Sequence, residues 1–252
     1  MTDYLLVHGA GQGAWTWGKV WGYMTAPIEN PPRLYAYRKV GKVFPMDLPG
    51  HGTDANGDTA AVQMEECIQA IVRTVERQKL RDVVLVGHGF AGALVLQAVA
   101  ELPSPPKRVV LIAGIVPGEG KNMLSEFSLS SRSAFQALSW FNSLAGKDVK
   151  LPGSVISQYL CNGVDTMDVV QTVGFFGALP TRVFKSGVNL GDLNLPCPVT
   201  YIVLTKDRVI PPETQRRMAQ RIPKVELLEF DSCHQVTLYR PKELADTLAS
   251  FA

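Results

Sequence analysis

The sequence lacks long apolar runs, an excess of either charge and any close pair of cysteines. Apolar stretches such as Val83–Val86 are far shorter than the roughly 20 residues that a membrane helix needs, so we expect no membrane partner. Lys and Arg together number 25 and Asp and Glu 23, which leaves a net charge of +2. Because nucleic-acid partners require a basic excess, this balance predicts none.

The four cysteines stand far apart and form no C-x-x-C motif, which argues against a metal centre. Gly9, Gly11 and Gly13 do not have the G-x-G-x-x-G spacing of a dinucleotide-binding turn, so we expect no cofactor. An apolar strand pattern begins within a few residues of Met1, which predicts no signal peptide. These features together lead us to expect a reduced, cytoplasmic protein.

The sequence does contain a regular alternation of apolar runs and helical patterns, over a length that fits one domain. This alternation predicts an α/β fold, with a mostly parallel sheet and helices on both faces. The uninterrupted run Val83–Val86 is typical of a central strand that is buried on both sides. The predicted strands are Tyr4–His8, Val43–Asp47, Val83–Val86, Val109–Ala113, Val199–Leu204 and Val225–Phe230, and the predicted helices are Trp17–Met24, Ala60–Gln78, Phe90–Ala100, Glu213–Arg221 and one beginning at Pro241.

Two segments interrupt this alternation. Pro27–Lys42 is a polar connection longer than usual between neighbouring elements. Residues 116–195 contain helical patterns but no pair of strands, and we interpret them as a lid inserted over the sheet. The core would then consist of residues 1–115 and 196–252.

The most informative segment is Gly87-His88-Gly89-Phe90-Ala91-Gly92, where a buried strand turns directly into a helix. Small residues at such a turn are typical of the nucleophile elbow, G-x-S-x-G, in which the central residue has a strained backbone. Two positions depart from that pattern. Ala91 replaces the second glycine, which is a mild change, and Gly89 replaces the serine, which removes the nucleophilic hydroxyl. A simple tight turn between a strand and a helix is the alternative interpretation.

Other segments favour the elbow. The glycine-rich loop after the first strand lies where an oxyanion hole is expected, with the backbone N–H groups of Ala10 and Phe90 as its donors. Asp207 follows one predicted strand and His234 follows the next, which is the chain order of acid and histidine in α/β-hydrolases. The alternatives are that Asp207 caps the helix near Pro211 and that His234 is an ordinary surface histidine.

Together these segments resemble the methylesterase and hydroxynitrile-lyase branch of the α/β-hydrolases and its bacterial relatives. The resemblance implies an α/β-hydrolase fold with a short helical lid, and it places Asp207 and His234 as the acid–base pair, with Gly89 in the nucleophile's position. The matching pieces are Val7–Trp17, Asp47–Gly52, Gly87–Gly92, Lys206–Met218 and His234–Leu248.

Within that branch, two positions favour an esterase over a lyase. The lyases resemble this chain but carry a threonine where Gly9 stands and a lysine where Gln235 follows the histidine. Without that lysine, the chain has no cation there to stabilise a departing cyanide. We therefore expect a hydrolase of carboxylic esters or related acyl compounds.

We expect a small apolar or aromatic substrate, because the lid is rich in apolar and aromatic side chains. The expected substrate-binding residues are Gly9, His88, Trp140, Phe141 and Phe176, although His88 should also pack beneath the elbow. Cys233 invites comparison with thiol nucleophiles, but it is not on the elbow. The protein is expected to be a monomer or a homodimer.

Three interpretations of Gly89 remain open. The first is a serine esterase in which glycine is an introduced, inactivating change. The second is a natural enzyme without the serine, such as a lyase, isomerase, oxygenase or direct hydrolase, in which His234 and Asp207 act as a general base. The third is a silent receptor that uses the pocket for binding only.

Overall fold

The computed structural model describes residues 1–26, 39–55, 58–144, 148–191 and 193–252, without the side chains of residues 141, 143 and 144. Most of the predicted connection Pro27–Lys42 therefore lies outside the described residues. The described chain forms one six-stranded sheet with helices on both faces. The strands are β1 Thr2–Val7, β2 Val40–Met46, β3 Val84–His88, β4 Arg108–Ile112, β5 Val199–Leu204 and β6 Glu226–Phe230.

The strand order is β2-β1-β3-β4-β5-β6, and every neighbouring pair is parallel. The prediction of a mostly parallel sheet is confirmed, and the described strands are parallel throughout. The direction of winding reverses between β1 and β3. In open α/β sheets, the crevice outside the carboxyl ends of the strands at such a reversal is where ligands bind.

The helices are α1 Gly18–Thr25, α2 Met64–Arg77, α3 Ala91–Glu101, α4 Leu129–Leu144, α5 Gly153–Val155, α6 Thr166–Phe175, α7 Thr181–Lys185, α8 Pro212–Ala219, α9 Val236–Tyr239 and α10 Pro241–Ala249. None of the helices among the described residues has the length and apolar composition needed to cross a membrane.

Alternate residues of each central strand enter two separate cores, because successive side chains of a strand point to opposite faces of the sheet. Leu5, Leu85 and Leu111 pack on one face with apolar residues of α2, α3 and α8. Leu6 and Val86 pack on the other face with residues of α1 and α10. The fully buried β3 thus lies in the middle of the sheet, as its apolar run predicts.

Residues 116–195, the predicted lid, run from the end of β4 to the start of β5 and contain α4 to α7. The described part includes a π-helical stretch, Ile156–Leu160, and a single isolated antiparallel bridge between Asn122 and Gly187. Glu126 connects the start of this segment to α8 and the turn after it, since its nearly buried carboxylate pairs with Arg217 of α8 and with Arg221 just beyond the helix. The division of the chain into core and lid remains a prediction.

Candidate active site

The turn between β3 and α3 requires glycine at several positions. A Cβ on Gly87 would lie 2.8 Å from Val95 Cγ2, and one on Gly92 would lie 2.7 Å from Gly114 Cα. Gly89 has a φ of +52°, in the left-handed region that side chains other than glycine rarely adopt. Strand, turn and helix therefore pass too closely for larger residues, which is the geometry of a nucleophile elbow.

A side chain at position 89 would point directly at His234. A Cβ built on Gly89 lies 3.1 Å from His234 Nε2 and 3.3 Å from its Cε1, and these are its only close neighbours among the described atoms. Gly89 therefore leaves a notch, bounded on one side by the imidazole. A hydroxyl or a water molecule in this notch would be within hydrogen-bond reach of Nε2.

The other nitrogen of His234 is bound to Asp207. His234 Nδ1 lies 2.7 Å from Asp207 Oδ2, and both side chains are nearly buried. Because a carboxylate only accepts hydrogen bonds, Nδ1 donates to Asp207, and in the neutral form of the ring Nε2 is then an acceptor facing the notch. This is the tautomer that a general base needs.

Asp207 is held by three further donors. Its Oδ1 accepts hydrogen bonds from the N–H groups of Val209 and Ile210 at 2.7 and 3.0 Å, and its Oδ2 accepts a hydrogen bond from Gln215 Nε2 at 3.0 Å. Asp207 thus also closes the turn before α8, while Pro211 occupies the N-cap position of that helix. The bond to His234 coexists with these turn bonds, whereas the capping role considered for Asp207 is not observed, because Pro211 and not Asp207 is the N-cap residue of α8.

Gln215 is a residue that the sequence did not bring to attention. Its amide is fully buried and also bonds the backbone of Leu204 and Ile210. Nothing in the sequence distinguishes this glutamine from others on amphipathic helices. Only its place on α8, facing the end of β5, makes it a support for Asp207.

His88 lies directly beneath the elbow and is fully buried. Its Nε2 donates to the backbone oxygen of His234 at 2.9 Å, and the two rings lie 4.7 Å apart. Burial, reinforced by the neighbouring His234, lowers the pKa of His88 well below its ordinary value. The ring is therefore neutral and supports the His234 loop, while its predicted contact with substrate remains a prediction.

The glycine-rich loop presents a backbone donor. His8 Nε2 accepts the N–H of Leu48 at 3.0 Å, so the proton of this neutral ring resides on Nδ1, 2.7 Å from the oxygen of Gly9. In a trans peptide the C=O and the following N–H point in opposite directions. Because the Gly9 oxygen points towards the His8 ring, the N–H of Ala10 points away from that ring.

The N–H groups of Ala10 and Phe90 have no acceptor among the described residues. Phe90 is the N-cap residue of α3, where backbone N–H groups lack intrahelical partners and attract negative charge. Two unused donors beside the elbow are what an oxyanion hole requires. Their role as such is a proposal.

The lid residues differ in their placement. The ring of Phe176 covers Gly11, since a Cβ on Gly11 would lie 2.3 Å from Phe176 Cε1. The N–H of Gly177 donates to the Gly11 oxygen at 2.7 Å and thereby joins the lid to the glycine-rich loop. Trp140 is 59% exposed, and the side chain of Phe141 lies outside the described residues.

Two other titratable residues near the site, Cys233 and Asp231, have surroundings that do not favour a catalytic role. Burial raises the pKa of the Cys233 thiol to about 12, which disfavours a thiolate. Asp231 is exposed and pairs with Lys206 and Arg240. Among the residues that the structure describes, no group of three or more His, Cys, Asp or Glu is placed to hold a metal ion.

The sequence matches the alpha/beta hydrolase family over residues 4–247, so the chain belongs to that family. It is similar to putative methylesterase 11, chloroplastic, of Arabidopsis thaliana, with 23% identity over 99% of the chain, which spans 63% of that relative's length. It is also similar to methylesterase 1 of Arabidopsis thaliana, with 24% identity over 99% of this chain and 95% of that one.

Among solved structures, the chain resembles an extracellular alpha/beta-hydrolase from a Paenibacillus species that shares structural and functional homology with tobacco salicylic acid binding protein 2. The TM-score is 0.84 with 19% identity, covering 100% of this chain and 99% of the other. At this identity the likeness shows the fold. The predicted α/β-hydrolase fold is therefore confirmed, and the similarities fall in the methylesterase branch.

Proposed function

We propose that this protein hydrolyses esters of small apolar or aromatic compounds, with a water molecule in place of the missing serine. One observation carries the proposal. His234 Nε2 faces the position that a side chain of residue 89 would occupy, while its Nδ1 is bound to Asp207. A water in the notch at Gly89 would donate to Nε2 and be available for attack.

In the proposed reaction, His234 Nε2 takes a proton from this water as the water oxygen attacks the ester carbonyl carbon. The carbonyl oxygen becomes an oxyanion, which accepts hydrogen bonds from the N–H groups of Ala10 and Phe90. The carbon–oxygen bond to the alcohol then breaks, and His234 returns the proton to the leaving oxygen. The products are a carboxylic acid and an alcohol, and no covalent enzyme intermediate forms.

The proposed substrate class rests on the surroundings of the glycine-rich loop. Phe176 packs on Gly11, and Trp15 and Phe175 place their rings 5.7 Å apart beside the same loop. Aromatic walls with a few polar groups favour an apolar or aromatic ligand. The similarity to methylesterases agrees with an ester as the reacting group. A cytoplasmic location and a monomeric or homodimeric state are retained as proposals.

A second candidate function rests on the same free nitrogen. His234 Nε2 could remove a proton from the substrate instead of from water, because the notch leaves room for a larger substrate atom. The enzyme would then be a cofactor-free lyase, isomerase or oxygenase. The two candidates differ in whether water is consumed.

The test compares the protein with its Gly89→Ser variant on a panel of aryl and alkyl esters. Under our proposal the unchanged protein hydrolyses at least one ester slowly, in a single phase without a burst of alcohol. The serine variant reopens the covalent route and gains roughly 10²-fold or more, with a burst. A gain from a rate of zero would instead identify glycine as an inactivating change.

The control is His234→Ala in both backgrounds, which should lower the turnover of both by about 10³-fold. If neither form turns over any ester, the hydrolase proposal is wrong. If the unchanged protein and its Gly89→Ser variant then bound a ligand without turning it over, a receptor function would be favoured. An equal rate of ester turnover with and without His234 would also contradict the proposed general base.

A further inference from the structure

We infer that Gln12 and Gln235 act as a pair of positioning residues that couples the oxyanion loop to the loop carrying His234. The inference rests on the proposed function for its catalytic consequence. Gln12 lies in the glycine-rich loop after β1, and Gln235 directly follows His234. The amide groups of these two residues, which are 223 positions apart in the chain, meet at 2.7 Å.

The pair belongs to a continuous set of buried hydrogen bonds. Gly9 N–H donates to Gln12 Oε1 at 3.3 Å, and Gln12 Nε2 donates to Gln235 Oε1. Gln235 Nε2 in turn donates to the hydroxyls of Thr16 and Thr237, at 2.5 and 3.1 Å. The four side chains of this set are at most 2% exposed.

The direction of these bonds follows from their first member. A backbone N–H can only donate, so Gly9 requires the oxygen of the Gln12 amide to face it. The amide nitrogen of Gln12 must then face Gln235, which orients the second amide in turn. The set therefore has one satisfied arrangement, and a buried amide left without its partner is strongly disfavoured.

At its first end, Gln12 holds Gly9 from both sides. Its side chain accepts the Gly9 N–H, and its backbone N–H donates to the Gly9 oxygen at 3.2 Å. The Gly9 oxygen also accepts from His8 Nδ1. These bonds set the plane of the peptide between Gly9 and Ala10, and with it the direction of the proposed oxyanion donor.

At its other end, Gln235 holds the segment that carries His234. Its backbone N–H donates to the oxygen of Leu160 at 3.0 Å, and its side chain is bound by Gln12 and Thr16. Because the oxygen and the nitrogen of the Gln235 side-chain amide are both hydrogen-bonded, this residue fixes the position of the backbone next to His234.

The proposed reaction requires the base and the oxyanion donors at a set separation, because the water oxygen and the carbonyl oxygen belong to one transition state. A misplacement of about 1 Å in such an arrangement is enough to lower a rate roughly 10²-fold. The glutamine pair connects the two loops that hold these groups directly, beside a bond between the hydroxyls of Thr16 and Thr237 at 3.2 Å that joins the residues following each loop. Its loss should therefore affect turnover more than substrate binding.

The experiment compares Gln12→Ala, Gln235→Ala and the double variant with the unchanged protein. Gln220→Ala is the matched control, because Gln220 is exposed at the end of α8. On an ester that the unchanged protein hydrolyses, we expect kcat to fall roughly 10- to 100-fold in each variant, with KM changed less than about 3-fold. The double variant should be no slower than the slower single variant, since the two residues act as one unit.

A second readout does not depend on activity. Amide hydrogen exchange, followed by NMR, should be at least about 10-fold faster for Gly9 in Gln235→Ala, although Gly9 is bonded to Gln12 and Gln235 is linked to it only through Gln12 in the set of bonds described above. The amide of Val86 in β3 serves as the internal reference for global unfolding.

Unchanged Gly9 exchange in Gln235→Ala, or additive effects on kcat, would overturn the coupling. If the unchanged protein hydrolyses no ester but Gly9 exchange responds as expected, the coupling stands and only the proposed hydrolase function fails.

Discussion

The two halves of the candidate site are built from different material. The acid–base half consists of side chains, Asp207 and His234, whose polar atoms are bound except for the one nitrogen that faces the notch. The elbow half consists of backbone, with Gly89 and the N–H groups of Ala10 and Phe90. The side-chain half contains the acid–base pair of the proposed hydrolase, whereas the backbone half has no hydroxyl at position 89.

This difference indicates which catalytic contributions are available to a site with glycine at position 89. Loss of a nucleophile leaves oxyanion stabilisation and general-base catalysis in place, and each contributes on its own. A site whose acid–base half had decayed would favour a binding protein. The preserved pair of Asp207 and His234 favours an enzyme.

The largest effect is expected when the proposed general base, His234, is removed from the acid–base half. We expect His234→Ala to lower kcat/KM for ester hydrolysis by about 10³-fold, within the range for loss of a general base. The measurement is steady-state kinetics with a chromogenic ester. Asp231→Ala, which alters an exposed carboxylate in the same loop, is the control and should change the rate less than about 2-fold. Equal rates for His234→Ala and the unchanged protein would contradict the proposed mechanism.

A side chain at Gly11, where Phe176 of the predicted lid packs on the glycine-rich loop, should destabilise the protein. Gly11→Ala places a Cβ 2.3 Å from the Phe176 ring and at a φ of +70°. We expect it to lower the free energy of unfolding by about 3 kcal/mol, from overpacking and backbone strain together. Urea denaturation measures this.

The matched control for this variant is Gly118→Ala, whose Cβ would lie 3.5 Å from Lys121 at an ordinary backbone angle. Its stability should stay within about 0.5 kcal/mol of the unchanged protein. If the two variants lost similar amounts of unfolding free energy, the contact between Phe176 and Gly11 would not be tight.

The neutral histidines around the site predict how stability depends on pH. Burial lowers the pKa of His8 from 6.5 to about 3, so below pH 6.5 the unfolded chain binds a proton that the folded chain does not. Stability therefore falls as the pH falls from 6.5 towards 3, by roughly 2 kcal/mol between pH 6.5 and 5 from His8 alone. Lowered pKa values of His51 and His88 act in the same direction.

Thermal melts from pH 7 to 5 measure this slope. His8→Gln keeps a donor and an acceptor but does not titrate, so its melting temperature should depend less steeply on pH. An identical slope in that variant would rule out His8 as a source of the dependence.

The smallest effect concerns the elbow itself. Gly89→Ser should lower the free energy of unfolding by about 1 kcal/mol, because a side chain at a φ of +52° is strained. Gly120→Ser isolates the strain, since Gly120 has a φ of +66° and open space around its Cβ. A higher melting temperature for Gly89→Ser would mean that a hydrogen bond to His234 outweighs the strain.

Much of the fold was predictable from local patterns. The predicted strand Val199–Leu204 has the observed bounds of β5, and the last helix begins at Pro241 as predicted. The helix predicted at Glu213–Arg221 is observed at Pro212–Ala219. The ends differ because caps and turns are decided by single residues, whereas the interiors follow a repeated apolar period.

The candidate site was only partly predictable. Asp207, His234 and Gly89 stand out because each lies shortly after the end of a predicted strand, and parallel strands bring their carboxyl ends to one edge of the sheet. The sequence does not identify Gln12, Gln215 and Gln235 as supports of the site, although Gln235 is noted there as the position of a lysine in the lyases. Their amides become significant only through partners that other parts of the chain supply.

The sequence by itself determined the alternation of strands and helices, the glycines of the elbow and the chain order of the acid and the histidine, since these are local patterns or simple orders. The tertiary structure decided which nitrogen of His234 is free, which way the Gly9 peptide faces and which glutamines support the site. Those outcomes depend on hydrogen bonds between residues distant in sequence, and such bonds are defined only once the sheet has brought the loops together.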